Sequence, residues 1–162
     1  MSRSIWIDKA ESLYATYLNV VNLLQAPVML AIRGYWGWQF FHTGWGKLTG
    51  LDQVTEFFTQ LGIPAPHLNA LIAGSTECFG GLLLLLGLGS RLVSVPLAFT
   101  MLVAYATASR DALLGVFHDP DTFIQADPFL FLLTAVLVLS FGPGYFSLDT
   151  VVKKVLERRR AA

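Results

Sequence analysis

Four apolar stretches, residues 25–45, 68–88, 92–109 and 128–146, dominate the hydrophobic pattern of this chain. Each reaches the length an α-helix needs to cross a hydrocarbon core about 30 Å thick, so four membrane spans are predicted. The first is the least apolar, interrupted by Arg33, Gln39 and His42; the second carries Glu77 as its one charge, and the third and fourth carry none. Ahead of them, Trp6, Ala10, Leu13, Tyr17, Val20 and Leu24 recur at intervals of three and four, with Asp8, Lys9, Glu11 and Ser12 on the opposite face. That pattern predicts an amphipathic interfacial helix over residues 1–24. Leu51, Val54, Phe57, Phe58 and Leu61 repeat it between the first two spans, where Gly62, Pro64 and Pro66 stop the helix and leave it as a cap on the bundle.

The fold expected is all-α: an integral membrane four-helix bundle with short amphipathic interfacial helices. Residues 25–149 form its core domain, and residues 150–162 form a basic cytoplasmic tail. Composition agrees. Of 162 residues, 54% are hydrophobic and 14% charged, and mean hydropathy is +0.58. Soluble domains carry about 25% charged residues, so a water-soluble surface cannot be built from this chain. The N-terminal segment is interrupted by charge through Glu11 and lacks a signal-peptide pattern, so the first span is expected to direct insertion.

The neutral net charge conceals a polarity. With four spans, the side bearing both termini holds Arg3, Lys9, Arg91, Lys153, Lys154, Arg158, Arg159 and Arg160, whereas the other holds Lys47 and Arg110. Basic residues flanking spans stay in the cytoplasm, so both termini are expected there. The tail, VVKKVLERRR, suits anionic membrane lipid, and no basic nucleic-acid face remains once the topology is drawn.

Glu77 lies near the middle of its span, where a charged side chain costs at least about 2.5 kcal/mol on insertion scales. Ala70, Gly74, Glu77 and Gly81 share a face of small residues, the kind that packs against a neighbouring helix. Arg33, Gly37, Phe40 and Gly44 form a matching stripe at the same spacings. Counting depth from the ends of the antiparallel spans leaves about 5 Å between Arg33 and Glu77, and an ion pair between them is predicted. Two compatible roles stand for that pair: locking the helices in register, or forming a binding or proton-handling site.

Trp36, Trp38 and Phe40 sit too deep for an interfacial belt and could wall a flat ligand such as a quinone, with His42 and Lys47 at the outer end of the same helix. The histidines, His42, His67 and His118, match no metal-ligand spacing, so no metal site is expected, nor any covalent cofactor. Cys78, the single cysteine, has no basic group at adjacent positions and reads as an inert small hydrophobe.

Arg33-Gly34, then His42, Gly44, Trp45, Lys47 and Leu48, Leu61-Gly62-Ile63-Pro64, Glu77 with Gly80-Gly81, Gly87-Leu88-Gly89-Ser90-Arg91, and Gly142-Pro143-Gly144 with Ser147-Leu148-Asp149 together resemble the DoxX family of small bacterial membrane proteins. The resemblance implies a four-helix inner-membrane protein. Relatives are described as subunits of thiosulfate:quinone oxidoreductase or as anchors for soluble thiol-redox and superoxide-detoxifying enzymes. By motif match it also implies functional roles for Arg33, Lys47, Glu77 and Arg91. A glutamate that the family often has before the fourth span is replaced here by Gln125 and Asp127.

Two functions follow as expectations. One is a redox-linked membrane subunit binding a quinone-like or small sulfur ligand between the first two spans, with Arg33 and Glu77 as the catalytic groups and Trp36, Trp38, Phe40, His42 and Lys47 around them. The other is a scaffold recruiting a soluble redox protein or a second membrane subunit, or a small-molecule or proton carrier, which would require a homo-oligomer.

Overall fold

The computed structural model describes residues 2–160, with side chains described from Ile7 onward. The readings placed on the side chains of Arg3 and Trp6 lie outside that range. Among the described residues eight helices follow one another: α1 (Ser2–Thr49), α2 (Leu51–Gln60), α3 (Pro66–Leu86), α4 (Ser90–Thr107), α5 (Arg110–Leu114), α6 (Pro120–Gln125), α7 (Pro128–Phe141) and α8 (Leu148–Arg160). Among the described residues there is no strand, and the protein is an all-α membrane protein. Helices α1, α3, α4 and α7 form the bundle. One end of it carries α2, α5 and α6, the loop end; the other carries the α3–α4 turn, α8 and the start of α1, the terminal end.

Three helices, α1 from Ile7, α3 and α4, are long and apolar enough to cross a membrane. The fourth predicted span is shorter than expected. Helix α7 has 14 residues, about 21 Å, because Gly142 turns to φ +81° and the Gly142-Pro143-Gly144 loop cannot continue the helix. Backbone carbonyls left free where a helix stops inside the protein need partners there. Arg33 supplies two: its guanidinium donates to the carbonyls of Pro143 at 2.8 Å and Phe146 at 2.6 Å.

The N-terminal amphipathic segment and the first span are a single 48-residue helix with Pro27 inside it. The interfacial helix expected over residues 1–24 is therefore not separate from the span that follows, and the helix continues through Pro27. Residues 7–25 are exposed along this helix, so its apolar stripe there is not covered by the bundle. Helix α2 forms as the sequence predicts, ends before Gly62 at φ +70°, and packs on α3. The short helices α5 and α6, between the third and fourth bundle helices, carry no periodicity long enough to announce them.

Helices α1 and α3 form the most extensive contact of the bundle. Their two small-residue stripes meet, and glycine is what allows it. A Cβ on Gly37 would lie 2.7 Å from the Leu85 amide nitrogen, and one on Gly44 or Gly81 would run into the backbone of Cys78 or Phe41. Helices in lipid gain little from hydrophobic burial, so this close approach and its dispersion contacts hold the pair together. Phe40, Leu84, Leu97, Met101, Ala135 and Val138 fill the centre between the four helices.

Candidate functional site

Contact between the stripes fixes the register of α1 on α3, and with it the partner of the buried carboxylate. Gly44 lies against Glu77 and Cys78, and Gly37 lies against Leu85. Glu77 is therefore level with the last two turns of α1, and Arg33 is level with Gly87 at the terminal end. The predicted Arg33–Glu77 ion pair does not form. Some ten residues of α1, about 15 Å, separate Arg33 from Thr43, the nearer of the two residues that bind the carboxylate.

Instead, Lys47 Nζ pairs with Glu77 Oε1. Thr43 Oγ1 lies 3.2 Å from Glu77 Oε2 and also within reach of the Gln39 and Phe40 carbonyls, so its one proton can serve the carboxylate or the helix. The Glu77 side chain is 1% exposed, whereas that of Lys47 is 32% exposed. The pair is asymmetric: an enclosed anion neutralised by a cation that reaches open space.

That space is a cleft of about 650 Å³ on the loop-end half of the bundle. Trp36, Gln39, Thr43 and Lys47, one face of α1 at spacings of three, four and four, form one wall, with Glu77 behind them. Met101 of α4 and Phe131 of α7 form the opposite wall, and the α6–α7 link brings Gln125 and Asp127 to the rim. Trp36 and Phe131 meet edge to face with ring centroids 5.0 Å apart. The link is held in place by Tyr105, whose hydroxyl donates to the Phe123 carbonyl at 2.8 Å while its ring stacks on Phe123. Lys47 also borders a second space of about 540 Å³, an apolar groove between α2, α3 and α4.

The sequence-predicted residues divide accordingly. Glu77, Lys47 and Trp36 come together at the cleft. Arg33 is buried at the terminal end, where it ties the loop after α7 to α1. Phe40 is fully buried in the core against Phe131, and Trp38 is half exposed on the outer face of α1 beside Phe41, so neither walls the cleft. Phe40 belongs to the packed stripe and so points inward, whereas Trp38 falls one residue past Gly37 and is turned off that face. His42 is exposed and does not line the cleft. His67 and His118 are exposed too, and among the described residues no three His, Cys, Asp or Glu side chains gather as a metal-binding group.

Sequence reasoning missed Gln39, Thr43 and Phe131 as cleft residues. The signal for the first two was present: the Trp36, Gln39, Thr43, Lys47 repeat is a polar stripe adjacent to the glycine stripe on the same helix. Phe131 had no such signal, because α7 is apolar on all sides.

At the terminal end the short motifs of the chain converge. Asp149 accepts hydrogen bonds from the Gly89 and Ser90 amides at 2.7 and 3.1 Å, capping α4, and its own amide donates to the Gly87 carbonyl at 2.9 Å. Gly87, at φ +71°, leaves room for the Arg33 guanidinium, which a Cβ would overlap. Arg91 donates to the Ser140 carbonyl near the end of α7 at 3.3 Å. Arg33, Gly87, Gly89, Arg91, Gly142, Ser147 and Asp149 thus form one clasp.

Residues 28–110 match the family described as DoxX. The chain is 30% identical over 125 residues to a Bacillus subtilis (strain 168) protein named "Putative oxidoreductase CatD", covering 77% of this chain and 87% of that one. It is 29% identical over 140 residues to the inner membrane protein YqjF of Escherichia coli (strain K12), covering 85% and 96%. It is 31% identical over 140 residues to the Mycobacterium tuberculosis membrane protein Rv3486, covering 79% and 83%. No solved structure matches the chain.

Proposed function

The chain belongs to the DoxX family, and on that premise we propose that it is an inner-membrane subunit of a redox-linked system that binds a flat carbonyl ligand of quinone type beside Glu77 and Lys47. The observation that carries this reading is the Lys47–Glu77 pair, placed at the wall of a cleft rather than sealed in the core. A pair whose one task is helix register has no need of a 650 Å³ opening against it. The cleft falls within the volume range of small-molecule sites and combines an aromatic wall with a few convergent polar groups.

Each group has a definite part. Trp36 and Phe131 offer the faces and edges on which a flat ring packs. The Lys47 ammonium and the Gln39 amide are donors for a carbonyl oxygen. Glu77 and Thr43 sit behind Lys47, where a carboxylate can accept or return a proton as charge on the ligand changes. A small sulfur ligand would use Lys47 and leave the aromatic wall idle, so the flat ligand is the better fit. Electrons come from a partner redox protein. The oxidoreductase name of the Bacillus subtilis relative supports the redox role, and the name of the Escherichia coli relative supports the inner membrane. The excess of basic residues at the terminal end supports cytoplasmic termini.

A scaffold role draws support from α8, whose Lys153, Lys154, Arg158, Arg159 and Arg160 project from an exposed helix suited to a soluble partner.

Titrating a short-chain ubiquinone analogue into the detergent-purified protein, with tryptophan fluorescence as the readout, tests the ligand reading. Saturable quenching that is largely lost in Trp36→Phe is expected. Quenching that never saturates, or that Trp36→Phe leaves unchanged, would contradict it.

A further inference from the structure

A further cleft, of about 520 Å³, opens at the terminal end, away from Glu77, and the proposed redox role does not use it. Arg91 and Lys153 reach it from two different elements, and Asn22 and Gln25 line it from one face of α1. Its floor is the Gly142-Pro143-Gly144 loop.

The charges do not cancel as they do beside Glu77. Asp149 also borders the cleft, but both of its carboxylate oxygens accept backbone N–H groups at the start of α4, so its charge is already compensated by that helix end. Arg91 has five N–H donors, and the Ser140 carbonyl takes one at 3.3 Å. The Lys153 ammonium is 4.0 Å from Glu157 on its own helix, in an exposed i,i+4 pair of the kind worth little in water. Gly142 lets Arg91 lie across the loop, since a Cβ there would come within 3.2 Å of Arg91 Nε. The cleft is therefore a net cationic pocket with unspent donors.

Its border is largely apolar. Phe141 is 61% exposed and Tyr145 62% exposed, both lining the cleft, and Leu18 continues the α1 face that carries Asn22 and Gln25. The Tyr145 hydroxyl accepts from the Lys154 ammonium at 2.9 Å, which adds a further cation beside the ring. Helix α8 leaves the same site with Val151, Val152 and Val155 along one face and Lys153 and Lys154 turned away from it. A free inorganic anion has no use for an apolar rim; a lipid, with acyl chains beneath a charged headgroup, uses both.

We propose that this cleft binds a phosphate oxyanion presented by the headgroup of an anionic phospholipid, held by Arg91 and Lys153 with its chains along Phe141 and Tyr145. Basic pockets between spans are a known means of holding such headgroups.

The test is native mass spectrometry of the full-length protein in mild nonionic detergent, with phosphatidylglycerol or phosphatidylcholine added in equal amounts and inorganic phosphate as a third arm. Selective retention of phosphatidylglycerol is expected, unaffected by millimolar phosphate. Retention should weaken roughly fivefold in Lys153→Gln and about thirtyfold when Arg91→Gln is added. Lys153 is 78% exposed, so its variant tests the site without threatening the fold, and Arg159→Gln, farther along α8, should retain lipid as the wild type does. Displacement by inorganic phosphate would reassign the site to a soluble anion and overturn the lipid. Equal retention of the two lipids, or no loss in Lys153→Gln and in the double variant, would overturn the site itself.

Discussion

Lys47 neutralises Glu77 from the last turn of α1, three residues past Gly44, while Arg33 on the same helix serves backbone carbonyls at the opposite end of the bundle. The two cations of α1 therefore have separate tasks. A double-mutant cycle with Lys47→Met and Glu77→Gln should give a coupling of about 1–3 kcal/mol, and one with Arg33→Gln and Glu77→Gln should be additive within about 0.5 kcal/mol. Unfolding in detergent–SDS mixtures supplies the free energies.

The asymmetry of the pair predicts unequal single variants. Lys47→Met leaves an enclosed carboxylate without its cation and should cost about 3 kcal/mol. Glu77→Gln leaves a lysine that can turn into the cleft and should cost about 1 kcal/mol. Equal losses would mean that Lys47 is as enclosed as Glu77.

Glycine at the α1–α3 contact gives a sharper contrast. Gly37→Ala places a methyl group 2.7 Å from backbone that cannot yield, and Gly44→Ala is tighter still, so both should lower the melting temperature strongly. Gly34→Ala and Gly46→Ala meet open space and should be neutral or stabilising by up to about 1 kcal/mol through helix propensity.

Three of the four spans, the cap helix α2 and the meeting of the two glycine stripes were legible in the sequence, because period and small-residue spacing are local properties. Register was not. Depth counted from span ends assumes that each helix starts at a membrane surface, but α1 runs 48 residues without a cap to mark one, and α3 begins only after α2 has turned back. The close approaches at Gly37 and Gly44 decide the register, and sequence reveals that glycines meet but not which backbone each one meets. The early end of α7 was written in Gly142-Pro143-Gly144, yet its dependence on Arg33, more than a hundred residues away, has no local signature.

Asp119 caps α6 through the Thr122 amide and hydroxyl, at 3.3 and 2.6 Å, and these hydrogen bonds hold its carboxyl below the ordinary value of 3.8. A lowered folded value means stability that is complete above the ordinary value and is lost as pH falls through the lowered one. Amide exchange over residues 120–127 should therefore show a loss of protection on acidification that Asp119→Ala removes, with the less protected state present at every pH in the variant. No change with pH in the wild type would refute the cap.

On the proposed function, Glu77 works on a ligand and does not merely hold two helices together. The direct measurement is the affinity of the short-chain quinone for Glu77→Gln, once a melting curve shows the variant to be folded. At least about a tenfold loss of affinity is predicted, because Glu77 holds the Lys47 ammonium in place at the cleft wall and takes up the proton as charge on the ligand changes. Unchanged affinity in a stably folded variant would contradict the account and leave the pair a helix clasp.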